Sequence, residues 1–78
     1  MVTPEQVKSY IEQELACISV SVSGDGHHFE AVIVSEAFRG KNKVQQHQLV
    51  YRALGDRMRA EIHALSMQTY TPEDFAKK

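Results

Sequence analysis

Between residues 18 and 34 the chain alternates and then reverses. Ile18, Val20 and Val22 are separated by Ser19, Ser21 and Ser23, the period-two pattern of a strand with one buried face. Ser23-Gly24-Asp25-Gly26 follows as a turn, where glycine supplies positive φ cheaply. His28 to Val34 returns as a second strand rich in β-branched residues. So short a connection makes the pair an antiparallel hairpin. A lone hairpin is marginal in water, so its apolar face needs cover from the rest of the chain. In 78 residues there is room for one domain and one small core.

The flanking segments supply that cover. Thr3-Pro4-Glu5-Gln6 is a helix start, with Thr3 as cap, Pro4 at the first helical position and Gln6 at the third position of a capping box. Val7, Ile11 and Leu15 then share one face of a helix running to about Ala16. Residues 35–42 read as a loop. From Lys43 the pattern is helical again, with Val44, His47, Tyr51 and Leu54 on one stripe. Gly55 breaks or bends this helix, and Asp56 to Ala60 form a further turn. Ile62 to Tyr70 reads as a third strand, and Thr71-Pro72-Glu73-Asp74 starts a short last helix. The expected fold is a small α/β single domain spanning 1–78. Its order is α-β-β-α-β-α, with a three-stranded mixed sheet.

Topology gives one further step. The third strand follows a helical crossover, so beside the second strand it runs parallel to it, with a right-handed connection. Parallel neighbours start at the same end of the sheet. His28 opens the second strand and His63 the third, and adjacent strands lie roughly 5 Å apart. The two imidazoles therefore converge if these strands are neighbours.

Composition excludes several classes. Nine Lys and Arg against ten Asp and Glu leave a net charge of −1, so there is no general case for a basic nucleic-acid binder. One cysteine forms no internal disulfide and no Cys₄ or Cys₂His₂ zinc site. No segment reaches the roughly 18–20 apolar residues of a bilayer span, and the N-terminus lacks the pattern of a signal peptide. The expected compartment is the cytoplasm. No P-loop, GxSxG, HExxH or GxGxxG occurs, and Glu12 and Glu14 point to different helix faces, so nothing argues for an enzyme.

Three features carry chemistry. His28 and His63, with His27 as a substitute for His28, suit a shared metal, but two ligands leave the site incomplete and require others from a second molecule. Residues 39–59 hold Arg39, Lys41, Lys43, Arg52, Arg57 and Arg59 against Asp56 alone. That local excess suits a phosphate backbone, an acidic protein surface or an anionic cofactor, and equally a solvated helix face. Cys17, between helix and strand, suits a buried thiol. His47, Tyr51 and Tyr70 read as core residues with polar tips.

The segments Ser23-Gly24-Asp25-Gly26-His27-His28-Phe29, Val34-Ser35-Glu36-Ala37-Phe38-Arg39-Gly40 and Ile62 to Glu73 resemble the BolA family across nearly the whole chain. The hairpin turn is similar to that of its IbaG-like bacterial branch. The resemblance implies a domain like a class II KH domain and a monothiol glutaredoxin partner. It also implies a [2Fe–2S] cluster shared with that glutaredoxin and its glutathione, with none held by the isolated chain. The implied histidine ligands are His63 and His28, with His27 as competitor. The chain alone is expected to be a monomer or weak homodimer away from membranes. The family's alternative role is DNA-binding transcriptional regulation of stress or envelope genes. The Arg-His pair frequent in its middle helix is Gln46-His47 here, and Gly40-Lys41-Asn42-Lys43 lacks the second glycine of a nucleic-acid-gripping GxxG loop.

Overall fold

The computed structural model describes residues 2–78. Its elements are α1 (Pro4–Glu14), β1 (Ser19–Gly24), β2 (His28–Val34), a 3₁₀ turn (Glu36–Phe38), α2 (Lys43–Leu54), α3 (Arg57–Ala60), β3 (Ala64–Tyr70) and α4 (Pro72–Ala76). The helix starts follow their caps. Thr3 Oγ1 accepts the Gln6 N–H at 3.1 Å while Gln6 Oε1 accepts the Thr3 N–H at 2.8 Å. Asn42 and Gln45 repeat that reciprocal box for α2, and Thr71 caps α4 through the Asp74 N–H. The middle helix is split at Gly55, whose positive φ of 58° ends α2.

The sheet runs β1-β2-β3. β1 is antiparallel to β2, with Val20 opposite Ile33. β2 is parallel to β3, with His28 opposite Ala64 and Val34 opposite Tyr70. Val20, Phe29, Ala31 and Ile33 face Val7 and Ile11 of α1 and Val50 and Leu54 of α2, closing a core that also takes Phe38 and Ile62. The opposite sheet face carries Ser19, Ser21, Ser23, His28, Glu30, Ser66 and Gln68, all exposed. Gly24 is required by close approach: a Cβ there would stand 2.4 Å from the His28 carbonyl oxygen and 2.8 Å from the Phe29 ring.

Several expectations need correction. α1 ends at Glu14, not near Ala16, because Leu15 is already extended. β1 begins at Ser19; Ile18 precedes the first full strand pair and is 64% exposed. β3 begins at Ala64 rather than Ile62, because the Ile62 N–H still bonds back to the Arg57 carbonyl at the exit of α3. The loop after β2 contains a 3₁₀ turn capped by Ser35. The buried stripe of α2 is Gln46, Val50 and Leu54. Val44 and Tyr51 are exposed instead, because Gln46 can enter the core once its amide is fully bonded. Tyr51 is therefore no core residue. His47 is half-buried, as are Tyr70 and Cys17. Cys17 packs on the core rim, and burial pushes its thiol pKa up, away from the reactive thiolate.

Candidate functional site

The adjacency of β2 and β3 brings the hairpin tip to the start of β3. The last bond of that seam is Ala64 N–H to the His27 carbonyl, 3.2 Å. The His27 and His63 rings consequently lie side by side, with centroids 5.5 Å apart and planes tilted by 35°. Both are exposed. His28 takes the other direction. Its Nε2 is 3.3 Å from Ser66 Oγ on the open sheet face, since alternate strand residues project to opposite sides. The histidines at the strand ends do converge, but the hairpin member beside His63 is His27 rather than His28.

Asp25 holds the tip. Its Oδ1 accepts the N–H groups of both His27 and His28 at 2.9 Å, and these bonds, that from His28 first, hold the Asp25 carboxyl below its usual pKa. The other side is held through α1. Tyr10 donates its hydroxyl to Glu61 at 2.8 Å, just before His63, and that bond pushes the phenol pKa up. The Arg57 guanidinium lies over the Tyr10 ring at 4.2 Å. Beside His63 is a cavity of about 490 Å³ bounded by Val2, Gln6, Gly26, Ala60 and Glu61. The site thus offers two imidazoles on supported backbone, next to open space and one carboxylate. Among the described residues no cluster of three or more His, Cys, Asp or Glu forms a metal cage.

The basic segment divides. Arg39 is gripped by Glu73, at 2.7 Å from one guanidinium nitrogen, and by Glu36. These acceptors push the Arg39 pKa up, and Arg39 pulls that of Glu73 down. Lys43 donates to the Thr69 carbonyl and lies over the Tyr70 ring at 4.9 Å. Arg57 is committed to Tyr10. Lys41, Arg52 and Arg59 are exposed. Three of the six cations are thus engaged within the fold.

Gln46 is a structural residue that sequence reasoning passed over. Its Nε2 donates to the carbonyls of Phe38 and Lys41 at 3.2 and 2.8 Å, and its Oε1 accepts from Thr69 Oγ1 at 2.7 Å. It ties the Phe38–Lys41 loop to β3. The available signal was a glutamine one turn ahead of Val50 and two ahead of Leu54.

A family model described as BolA-like protein matches residues 5–74. The chain belongs to the BolA family. It is 37% identical over 73 residues to the acid stress protein IbaG of Escherichia coli K12, covering 92% of this chain and 87% of that one, which places it with the IbaG-like bacterial branch. It is 42% identical over 52 residues to the DNA-binding transcriptional regulator BolA of Haemophilus influenzae, covering 67% of this chain and 50% of that protein. A solved bolA homologue from Coxiella burnetii superposes with a TM-score of 0.87 at 47% identity, covering 97% and 99% of the two chains.

Proposed function

We propose that this BolA-family chain is a non-enzymatic adaptor of iron–sulfur metabolism. It docks a monothiol glutaredoxin and lends imidazole ligands to a shared [2Fe–2S] cluster. The observation that carries this reading is the His27–His63 pair, exposed, adjacent and unaccompanied by further ligands among the described residues. The donor set fits half a cluster site: neutral imidazole is a sound ligand for iron, and the sulfur ligands come from the partner and its glutathione. When bound, the cluster supplies one-electron chemistry at a potential raised by histidine ligation. The chain's own work is positional. His63, just ahead of β3, is one ligand, and the ring packing favours His27 over His28 as the hairpin ligand. Asp25 fixes the hairpin tip, and Tyr10 with Glu61 fixes the approach to β3. The acid-stress name of the E. coli relative agrees with a regulatory rather than catalytic role.

The test is to mix the protein with cluster-loaded glutaredoxin and record visible absorption and circular dichroism. His63→Ala and His27→Ala are expected to change the spectrum and weaken the complex, and His28→Ala to leave both intact. An unchanged spectrum with His63→Ala overturns the assignment.

A second reading, nucleic-acid binding, is favoured by the name of the H. influenzae relative and by the exposed Lys41, Arg52 and Arg59. Labelled DNA titrated at two salt concentrations decides it, because phosphate-driven binding weakens steeply with salt. Combined substitution of Lys41 and Lys43 must weaken it further. The commitment of Arg39, Lys43 and Arg57 to internal partners is why this reading stands second.

A further inference from the structure

We propose that the His27–His63 pair also forms half of a mononuclear zinc site, completed by the same pair on a second copy of this chain. This use of the histidines does not depend on the glutaredoxin reading. Two imidazoles on one tetrahedral zinc, with Zn–N near 2.0–2.1 Å, have ring centroids roughly 5 Å apart. The rings here are 5.5 Å apart, so small side-chain rotations bring both onto one ion. Their backbones are already fixed: Asp25 holds the two hairpin N–H groups, and the Ala64 N–H bonds to the His27 carbonyl. Little ordering is therefore lost on binding.

The pair cannot saturate zinc alone. A closed site takes four ligands, and no third His, Cys, Asp or Glu joins these rings in a cluster among the described residues. A two-fold axis through the ion supplies the missing pair, because an isologous contact presents the same patch from both copies. Both rings are exposed at the hairpin end of the sheet, so two copies approach there without moving the core. Four neutral imidazoles leave the zinc charge uncompensated. The same imidazoles then serve either the zinc-linked pair or a heterologous partner, so zinc competes with partner docking.

The experiment uses the metal-free chain, titrated with Co²⁺ and then Zn²⁺, read by visible absorption and sedimentation. The expected result is one metal per two chains, a doubled mass, the intense visible bands of four-coordinate cobalt, and their loss when zinc displaces cobalt. Losing a hydrogen-bond partner of a metal-binding histidine already costs about 10–100-fold. Removing a ring by His27→Ala or His63→Ala is thus expected to lower cobalt affinity by roughly 100-fold or more and to abolish the dimer. His28→Ala and His47→Ala serve as controls and should bind as the parent does. Far-UV circular dichroism verifies that each variant is folded. One metal per chain at monomeric mass, the pale spectrum of six-coordinate cobalt, or dimers that survive both His27→Ala and His63→Ala each overturn the proposal. Glutaredoxin is absent throughout, so this outcome and that of the cluster experiment are independent.

Discussion

The two ends of the β2–β3 seam treat their polar groups in opposite ways. Where the strands end, the buried polar side chains among the described residues are all paired. Ser35 donates to the Ala16 carbonyl at 2.6 Å and accepts from Ala37, Thr69 and Gln46 bond each other, and Lys43 and Arg39 are absorbed by a carbonyl and two carboxylates. Where the strands begin, polar groups hold the backbone while the rings of His27 and His63 face solvent side by side. The closed end is tied by side-chain bonds, and the open end leaves two imidazoles to solvent. Charge density alone misleads here: of the six cations between residues 39 and 59, Arg39, Lys43 and Arg57 are already engaged by partners within the fold.

The contrast can be broken at the closed end first. Gln46→Ala strands Thr69 Oγ1 and two loop carbonyls and opens a void, and is expected to cost about 2–4 kcal/mol in urea unfolding. The open end has one position of comparable weight. Gly24→Ala drives a Cβ into the His28 carbonyl and the Phe29 ring, so the hairpin must shift, with a loss of about 1–3 kcal/mol in thermal or urea unfolding. By contrast His27→Ala and His63→Ala are surface changes expected to stay within about 0.5 kcal/mol of the parent while abolishing the cluster-bound spectrum. Were either to destabilise the fold as Gln46→Ala does, the division between the ends would fail.

Two smaller effects sharpen it. Asp25 has a depressed folded-state pKa, so its contribution is complete above the unfolded aspartate range near pH 4. It is lost as pH falls through the lower folded value. Carboxyl NMR titration should place its midpoint below that of an ordinary aspartate, and Asp25→Asn should flatten the acid limb of the stability curve. Arg39→Ala removes an exposed pair, and the expected change in unfolding midpoint is slight and disappears in high salt.

Much of the architecture was legible in local chemistry. The Thr3 and Thr71 caps, the serine-spaced strand, the glycine turn and the break at Gly55 each act over a few residues, and each stands where its residues put it. The parallel direction of β3 follows from the helical crossover once it lies beside β2, and the structure supplies that adjacency. What local pattern could not resolve was rotation. Helical spacing from Val44 through His47, Tyr51 and Leu54 picks one stripe of α2, but Val44 and Tyr51 are exposed. The structure buries Gln46 instead, since its partners come from the Phe38–Lys41 loop and from Thr69. Which hairpin histidine packs beside His63 was not legible for a related reason. Strand order brings both near β3, but which ring meets His63 depends on a one-residue register set by the Asp25 turn and the Ala64–His27 bond.

That seam also sets when the site exists. His27 and His63 are 36 residues apart in the chain, joined only by the parallel pairing across the α2–α3 crossover. Contacts of such separation form late, after the loop between them has closed. Until that closure, His27 has no His63 beside it. A ligand or partner that needs both rings therefore binds only chains whose crossover has closed, and its binding energy is added to the finished fold alone.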